Sequence, residues 1–155
     1  MLEHEVEFIL VGALSAVLQG APVMTVDVDL VHRREKKNID ALLDALERIN
    51  AYFRGHPGKQ LRPTRQHLQG KEHQLLSTDL GPLDLLGTIE DGLSYEDLLP
   101  DTVEAQIGHR SLRILTLAKY VALKEESSRT KDQARLPMLR ETLRYSREKS
   151  DNEGD

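Results

Sequence analysis

Val26-Asp27-Val28-Asp29-Leu30-Val31 is a short apolar run interrupted only by two acids. It is rich in β-branched residues and follows turn chemistry at Gly20-Ala21-Pro22, which predicts a β-strand. Side chains on a strand alternate between faces. Asp27, Asp29 and Val31 should therefore share one face, and Val26, Val28 and Leu30 the other. Two carboxylates held side by side repel each other unless a cation lies between them or one takes a proton. Hard divalent cations, Mg²⁺ or alternatively Mn²⁺, take oxygen ligands of this kind, so the pair reads as a metal site.

Upstream, Val6 to Val11 is a second strand-like run ending at Gly12. It passes directly into Ala13 to Gln19, a segment of good helix formers closed by Gly20. A strand that turns through glycine into a helix leaves backbone N–H groups free at the positive helix end, which suits a phosphate. Gly12, Ala13 and Ser15 are the candidate residues of that cradle. A third acid fits the same chemistry. Leu75 to Thr78 is β-prone, Asp79-Leu80-Gly81-Pro82 is a turn, and Leu83-Asp84-Leu85-Leu86 resumes an apolar strand in which Asp84 is the lone charge. Paired near Asp27 and Asp29, it would complete a set of three carboxylates able to hold two cations.

These pieces resemble the DNA polymerase beta-like nucleotidyltransferase superfamily. Its pattern is a hydrophobic residue, Gly, then Gly or Ser, about a dozen residues, Asp-x-Asp, and a third Asp on a later strand. Here Val11-Gly12-Ala13, Asp27-Val28-Asp29 and Asp84 occupy those places. Within the superfamily the chain is most similar to AbiEii-type and related bacterial nucleotidyltransferases, which carry a C-terminal Lys followed by Arg-x-Lys-Asp. Here those residues are Lys124 and Arg129-Thr130-Lys131-Asp132. The resemblance spans Val6 to about Leu143. It implies an α+β nucleotidyltransferase fold, a small mixed sheet backed by helices with a C-terminal helical pair. It implies Asp27, Asp29 and Asp84 as metal ligands, with Asp84 also helping to deprotonate the acceptor hydroxyl. Lys124, Arg129 and Lys131 would line the nucleotide cleft.

Three positions depart from the pattern. Ala13 stands where a second Gly or a Ser is usual, and it offers neither backbone freedom nor a hydroxyl. Pro22-Val23-Met24-Thr25 lacks the Arg that relatives often carry before Asp-x-Asp. Arg135 stands where an Asp often follows the Lys-Asp pair.

Composition narrows the classes. At 155 residues the chain suits one domain, expected over residues 1–146, with a disordered polar tail over 147–155. Cysteine is absent, which excludes disulfides and thiolate metal sites and agrees with a cytoplasmic location. No run is long enough to cross a bilayer and no signal peptide is visible, so no membrane partner is expected. The histidines show no zinc spacing, and phosphate-loop, dinucleotide and serine-nucleophile motifs are missing. The net charge of −5 argues against a protein wholly devoted to nucleic acid. Yet Arg54, Lys59, Arg62, Arg65 and Lys71, with His56, His67 and His73, cluster against the single acid Glu72. That segment reads either as an acceptor-RNA or nucleotide surface or as a solvated strand edge.

The remaining elements are a helix over 35–50, a loop over 54–58 and an irregular edge strand over 60–68. A capped turn follows over 94–98, then a hairpin of 103–107 with 111–115 and two helices, one from the Thr116 cap to about Glu126 and one over 131–146. Five residues precede the first strand where relatives carry a helix; apolar surface left bare there would favour a homodimer. The expected activity is metal-dependent transfer of a nucleoside monophosphate from an NTP such as ATP to an RNA, tRNA or protein acceptor, with a toxin paired to an antitoxin as one form. A small-molecule acceptor is a second enzymatic form. The competing expectation is a degenerate fold serving as a binding or assembly module, for which Ala13, Val23 and Arg135 are the grounds.

Overall fold

Alternation in the strands sorts the apolar side chains into two separate cores, one on each face of a single sheet. The computed structural model describes residues 1–154. Strands β1 (Phe8–Val11), β2 (Val28–His32), β3 (Tyr52–Phe53), β4 (His73–Thr78), β5 (Gly81–Leu86), β6 (Thr102–Ile107) and β7 (Arg110–Leu115) line up as β3-β4-β5-β2-β1-β7-β6. The β1–β7 and β2–β5 pairs are parallel and the others antiparallel. Helices α1 (Gly12–Val17), α2 (Lys36–Arg48), α3 (Arg65–Gln69), α4 (Tyr95–Leu98), α5 (Leu117–Glu126) and α6 (Thr130–Glu153) pack around it. Leu10, Leu30, Leu83 and Leu85 point into one core with Ile39, Leu42 and Leu46 of α2. Ile9, Val11, Val31 and Leu86 point into the other with Tyr120, Val121, Leu136 and Leu139 of α5 and α6. Leu30 and Val31 thus fall in different cores, as a period of two requires.

The mixed sheet and the C-terminal helical pair match the expected α+β class. Three expectations need correction. Asp27 precedes β2 instead of lying in it. The segment 60–68 is no strand: Leu61 lends a single carbonyl to Phe53 N–H (2.8 Å), and α3 follows. Helix wins there because Thr64 and His67 cap its first turn reciprocally, the Thr64 N–H donating to His67 Nδ1 at 3.0 Å. Residues 147–153, expected to be disordered, continue α6. Arg144–Glu148 and Lys149–Glu153 pairs one turn apart support that exposed end, and Asp155 lies outside the described residues. Among the described residues no helix is long and apolar enough to cross a membrane.

Gln19 fixes α1 against the β7–α5 junction. Its side chain donates to the Leu115 carbonyl (2.8 Å) and accepts from the Leu117 N–H (2.8 Å). This holds α5 over the end of β1, where the sheet face is left open as a cleft.

Candidate active site

Register brings the acids together. In the parallel β2–β5 pair Asp29 stands opposite Asp84, and on its other side Asp29 pairs with Val11 at the end of β1. Directly paired residues share a face, so both carboxylates point to the α5–α6 side. Asp27, two residues before Asp29, faces the same opening. The chain leaves β1 through Gly12 at φ +69°, a left-handed value that penalises any residue with a Cβ. A second constraint acts on Gly12: a Cβ there would overlap the Asp29 Oδ2 and sit 3.0 Å from its Cγ. The strand-to-helix glycine and the Asp-x-Asp are therefore in contact.

The cleft has two adjoining recesses that share Gly12, Asp29, Tyr120, Lys124 and Arg129. One, of about 320 Å³, holds Asp84 and His73 above a floor of Leu86, Ile89, Leu115 and Leu123. The other holds Ala13, Asp27, Lys131 and Arg135. Eight of the nine residues singled out in the sequence line one recess or both: Gly12, Ala13, Asp27, Asp29, Asp84, Lys124, Arg129 and Lys131. Ser15 does not. It is fully buried, and its hydroxyl donates to the Gly12 carbonyl at 2.7 Å, bracing the turn from behind.

Burial, then Asp84, then Asp27 push the Asp29 carboxyl up to about 6. Asp29 and Asp84 stand directly opposite each other in the β2–β5 pair, which is why Asp84 raises Asp29. Burial likewise raises Asp84, against the opposing pull of Arg54, whose guanidinium is ion-paired with it. Lys124 Nζ lies 3.3 Å from Asp132 Oδ1 and 5.4 Å from the centre of the Tyr120 ring. Burial alone would raise the Asp132 carboxyl, but the Ser127 hydroxyl (2.6 Å) and Lys124 outweigh it and hold the carboxyl below the usual range. The Lys-Asp motif is thus an internal pair whose cation faces the acids.

The donor set fits a divalent cation at Asp27 and Asp29: two oxygen ligands on one face, with a carboxyl at Asp29 whose ionisation is held back by its neighbours. Among the described residues no three acidic, histidine or cysteine side chains converge on one point, and Asp84 is engaged by Arg54. Sequence reading missed this role for Arg54, which it had placed in a basic surface segment. Most of that segment is spent internally. Arg62 donates to Asn50 Oδ1 (2.6 Å) and the Ala51 carbonyl (3.3 Å), and Arg65 pairs with Asp40. Arg135, noted only as a departure, adds a cation to the second recess beside Tyr120.

This chain is similar to the crystal structure of the lincosamide antibiotic adenylyltransferase LnuA in its lincomycin-bound form. The TM-score is 0.56 at 14% sequence identity, over 89% of this chain and 88% of that one. The two chains share one fold. No protein-family model matches the chain, and no curated protein sequence does. In this chain the strand-turn-helix at Gly12 and the acids Asp29 of β2 and Asp84 of β5 occupy one open end of the sheet, opposite the cationic helix pair.

Proposed function

We propose that the chain is a divalent-cation-dependent nucleotidyltransferase, moving a nucleoside monophosphate from an NTP to a hydroxyl acceptor. The observation that carries this reading is the grouping of Asp27, Asp29 and Asp84 at one end of the sheet, facing Lys124, Arg129, Lys131 and Arg135 across a cleft. Carboxylates on one wall and cations on the other suit a metal-bound polyphosphate, with charge complementarity on both sides. Asp27 and Asp29 would hold Mg²⁺ or Mn²⁺, which supplies Lewis-acid stabilisation of the phosphoryl oxygens. Lys124, Arg129, Lys131 and Arg135 would bind and orient the triphosphate. Asp84 would receive the proton of the attacking hydroxyl. Gly12 gives the phosphates close access to the backbone, and Ser15 keeps that turn in shape. The narrower AbiEii-type resemblance rests on the Lys124 to Asp132 motif alone.

The acceptor is best supported as a small hydroxylated molecule. The basic segment that would recruit RNA or tRNA is largely committed to Asp84, Asn50 and Asp40. The recess beside Asp84 is apolar-floored and of small-molecule size. LnuA, on the same fold, acts on a lincosamide antibiotic. A protein acceptor, or a toxin with an antitoxin partner, draws less support from this cleft.

Calorimetric titration with each of the four ribonucleoside triphosphates, with and without Mg²⁺, tests the reading. Binding that requires Mg²⁺ and vanishes in Asp27→Ala, with unchanged circular dichroism, is expected. Metal-independent binding, or binding that survives Asp27→Ala, would refute it in favour of a binding module.

A further inference from the structure

Four residues form a row across the sheet on the cleft face. The Arg54 N–H donates to the Leu75 carbonyl (3.0 Å), Leu75 pairs with Asp84, and Asp84 pairs with Asp29. Neighbouring strands are about 4.8 Å apart, so Arg54 starts about two strand spacings from Asp84. A guanidinium on a three-carbon stem spans that distance over Leu75 and ion-pairs with the Asp84 carboxylate. The backbone beneath it is fixed. Tyr52 and Phe53 pair with Ser77 and Leu76, so Arg54 is the last anchored residue before the Gly55 to Gly58 loop. Both partners are well covered, with side-chain exposures of 32% for Arg54 and 17% for Asp84. Arginine stays charged under all ordinary conditions and matches a carboxylate in shape, so the pairing is a lasting one.

The local charge follows. Of the three acids, Asp84 is matched by Arg54, Lys124 is matched by Asp132, and Arg129, Lys131 and Arg135 line the cleft across from Asp27 and Asp29. That leaves Asp27 and Asp29 as the two carboxylates open to a divalent ion, a formal −2 against its +2. A second ion would have to compete with Arg54 for Asp84 Oδ1.

We infer that Arg54 is a resident cation of this site: it holds Asp84 as a positioning residue, and the chain takes up one divalent ion, on Asp27 and Asp29, where three free carboxylates would take two. This rests on the metal-dependent nucleotidyl-transfer reading and restricts it. Arg54 stands in for the second metal and keeps Asp84 oriented toward the acceptor recess.

Equilibrium dialysis of the full chain against Mn²⁺ and α,β-methylene-ATP, which cannot react, reads the inference directly as the ratio of retained Mn²⁺ to retained nucleotide. A ratio of one is expected for the wild-type chain and for Arg54→Lys, which keeps the charge, and for Asp84→Asn, which removes no metal ligand. Arg54→Met frees Asp84 and should raise the ratio to two. A wild-type ratio of two, a ratio that stays at one in Arg54→Met, or loss of Mn²⁺ in Asp84→Asn overturns the inference while leaving nucleotidyl transfer standing. No retained Mn²⁺ in the wild-type chain overturns both. If Arg54→Met does not fold, the wild-type and Asp84→Asn ratios decide alone.

Discussion

Asp29 should make the metal-free protein lose stability as pH rises, and Asp29→Asn should remove that loss. In the folded chain its carboxyl is pushed up to about 6, against 3.8 for the unfolded chain, first by burial and then by Asp84 and Asp27. A raised folded value means the native state holds its proton longer than the unfolded state does. The stabilisation is therefore complete below about pH 4 and lost as pH climbs through 6. A shift of about two units corresponds to about 3 kcal/mol, and solvent at the cleft mouth reduces this to on the order of 2. Roughly half of the loss falls between pH 5 and 7.5. In Asp29→Asn the side chain keeps its size and its place opposite Asp84, but nothing ionises at position 29. Urea unfolding at pH 5 and 7.5 in EDTA should show wild type weakening by roughly 1 kcal/mol more than the variant across that interval. At pH 7.5 the variant should be the more stable of the two. Millimolar Mg²⁺ should restore the wild type and leave the variant unmoved, because only the ionised carboxylate binds the ion. Parallel pH dependence in both chains would refute the reasoning, since burial and repulsion at Asp29 would then be absent.

Three other perturbations bear on the same site. Gly12→Ala should lose about 1–2 kcal/mol to its positive φ and also displace the Asp29 carboxylate, so thermal melts and Mg²⁺-dependent nucleotide titrations should both fall. Lys124→Met should cost about 3 kcal/mol by leaving Asp132 buried and unpaired, and the double variant with Asp132→Leu should recover much of that in chemical denaturation. Arg135→Ala, at the rim of the second recess, should weaken NTP binding about tenfold with little change in melting temperature, and an unaltered dissociation constant would remove it from the phosphate-binding wall.

Much of this fold and site was legible in one dimension because the relevant physics is local. A period of two places Asp29 and Val31 on one face of the sheet, and Val31 is buried in the core beneath the cleft. Gly12, between an apolar strand and a helix, marks a backbone turn that other residues resist. The Ser94 and Thr116 caps act within a few residues of themselves and lie where their spacing indicates, Ser94 with Asp97 and Thr116 with the Lys119 N–H. Local reading failed where competition was decided elsewhere. The 60–68 segment became a capped helix, and the charged end of α6 stayed helical through pairs one turn apart.

Pattern and motif in the sequence, then, determined the acid-bearing strands, the glycine turn and the cationic helix pair. Tertiary structure alone decided what those acids face. The Asp29–Asp84 pairing depends on strands 55 residues apart coming into parallel register, and Arg54 reaches Asp84 from two strands away. Ser15 turned inward to brace the glycine turn, and Asp132 was spent on Lys124. Side-chain periodicity records which face a residue takes, but strand register is a long-range choice settled by the packing of two cores, and the charge balance of the cleft follows from that register.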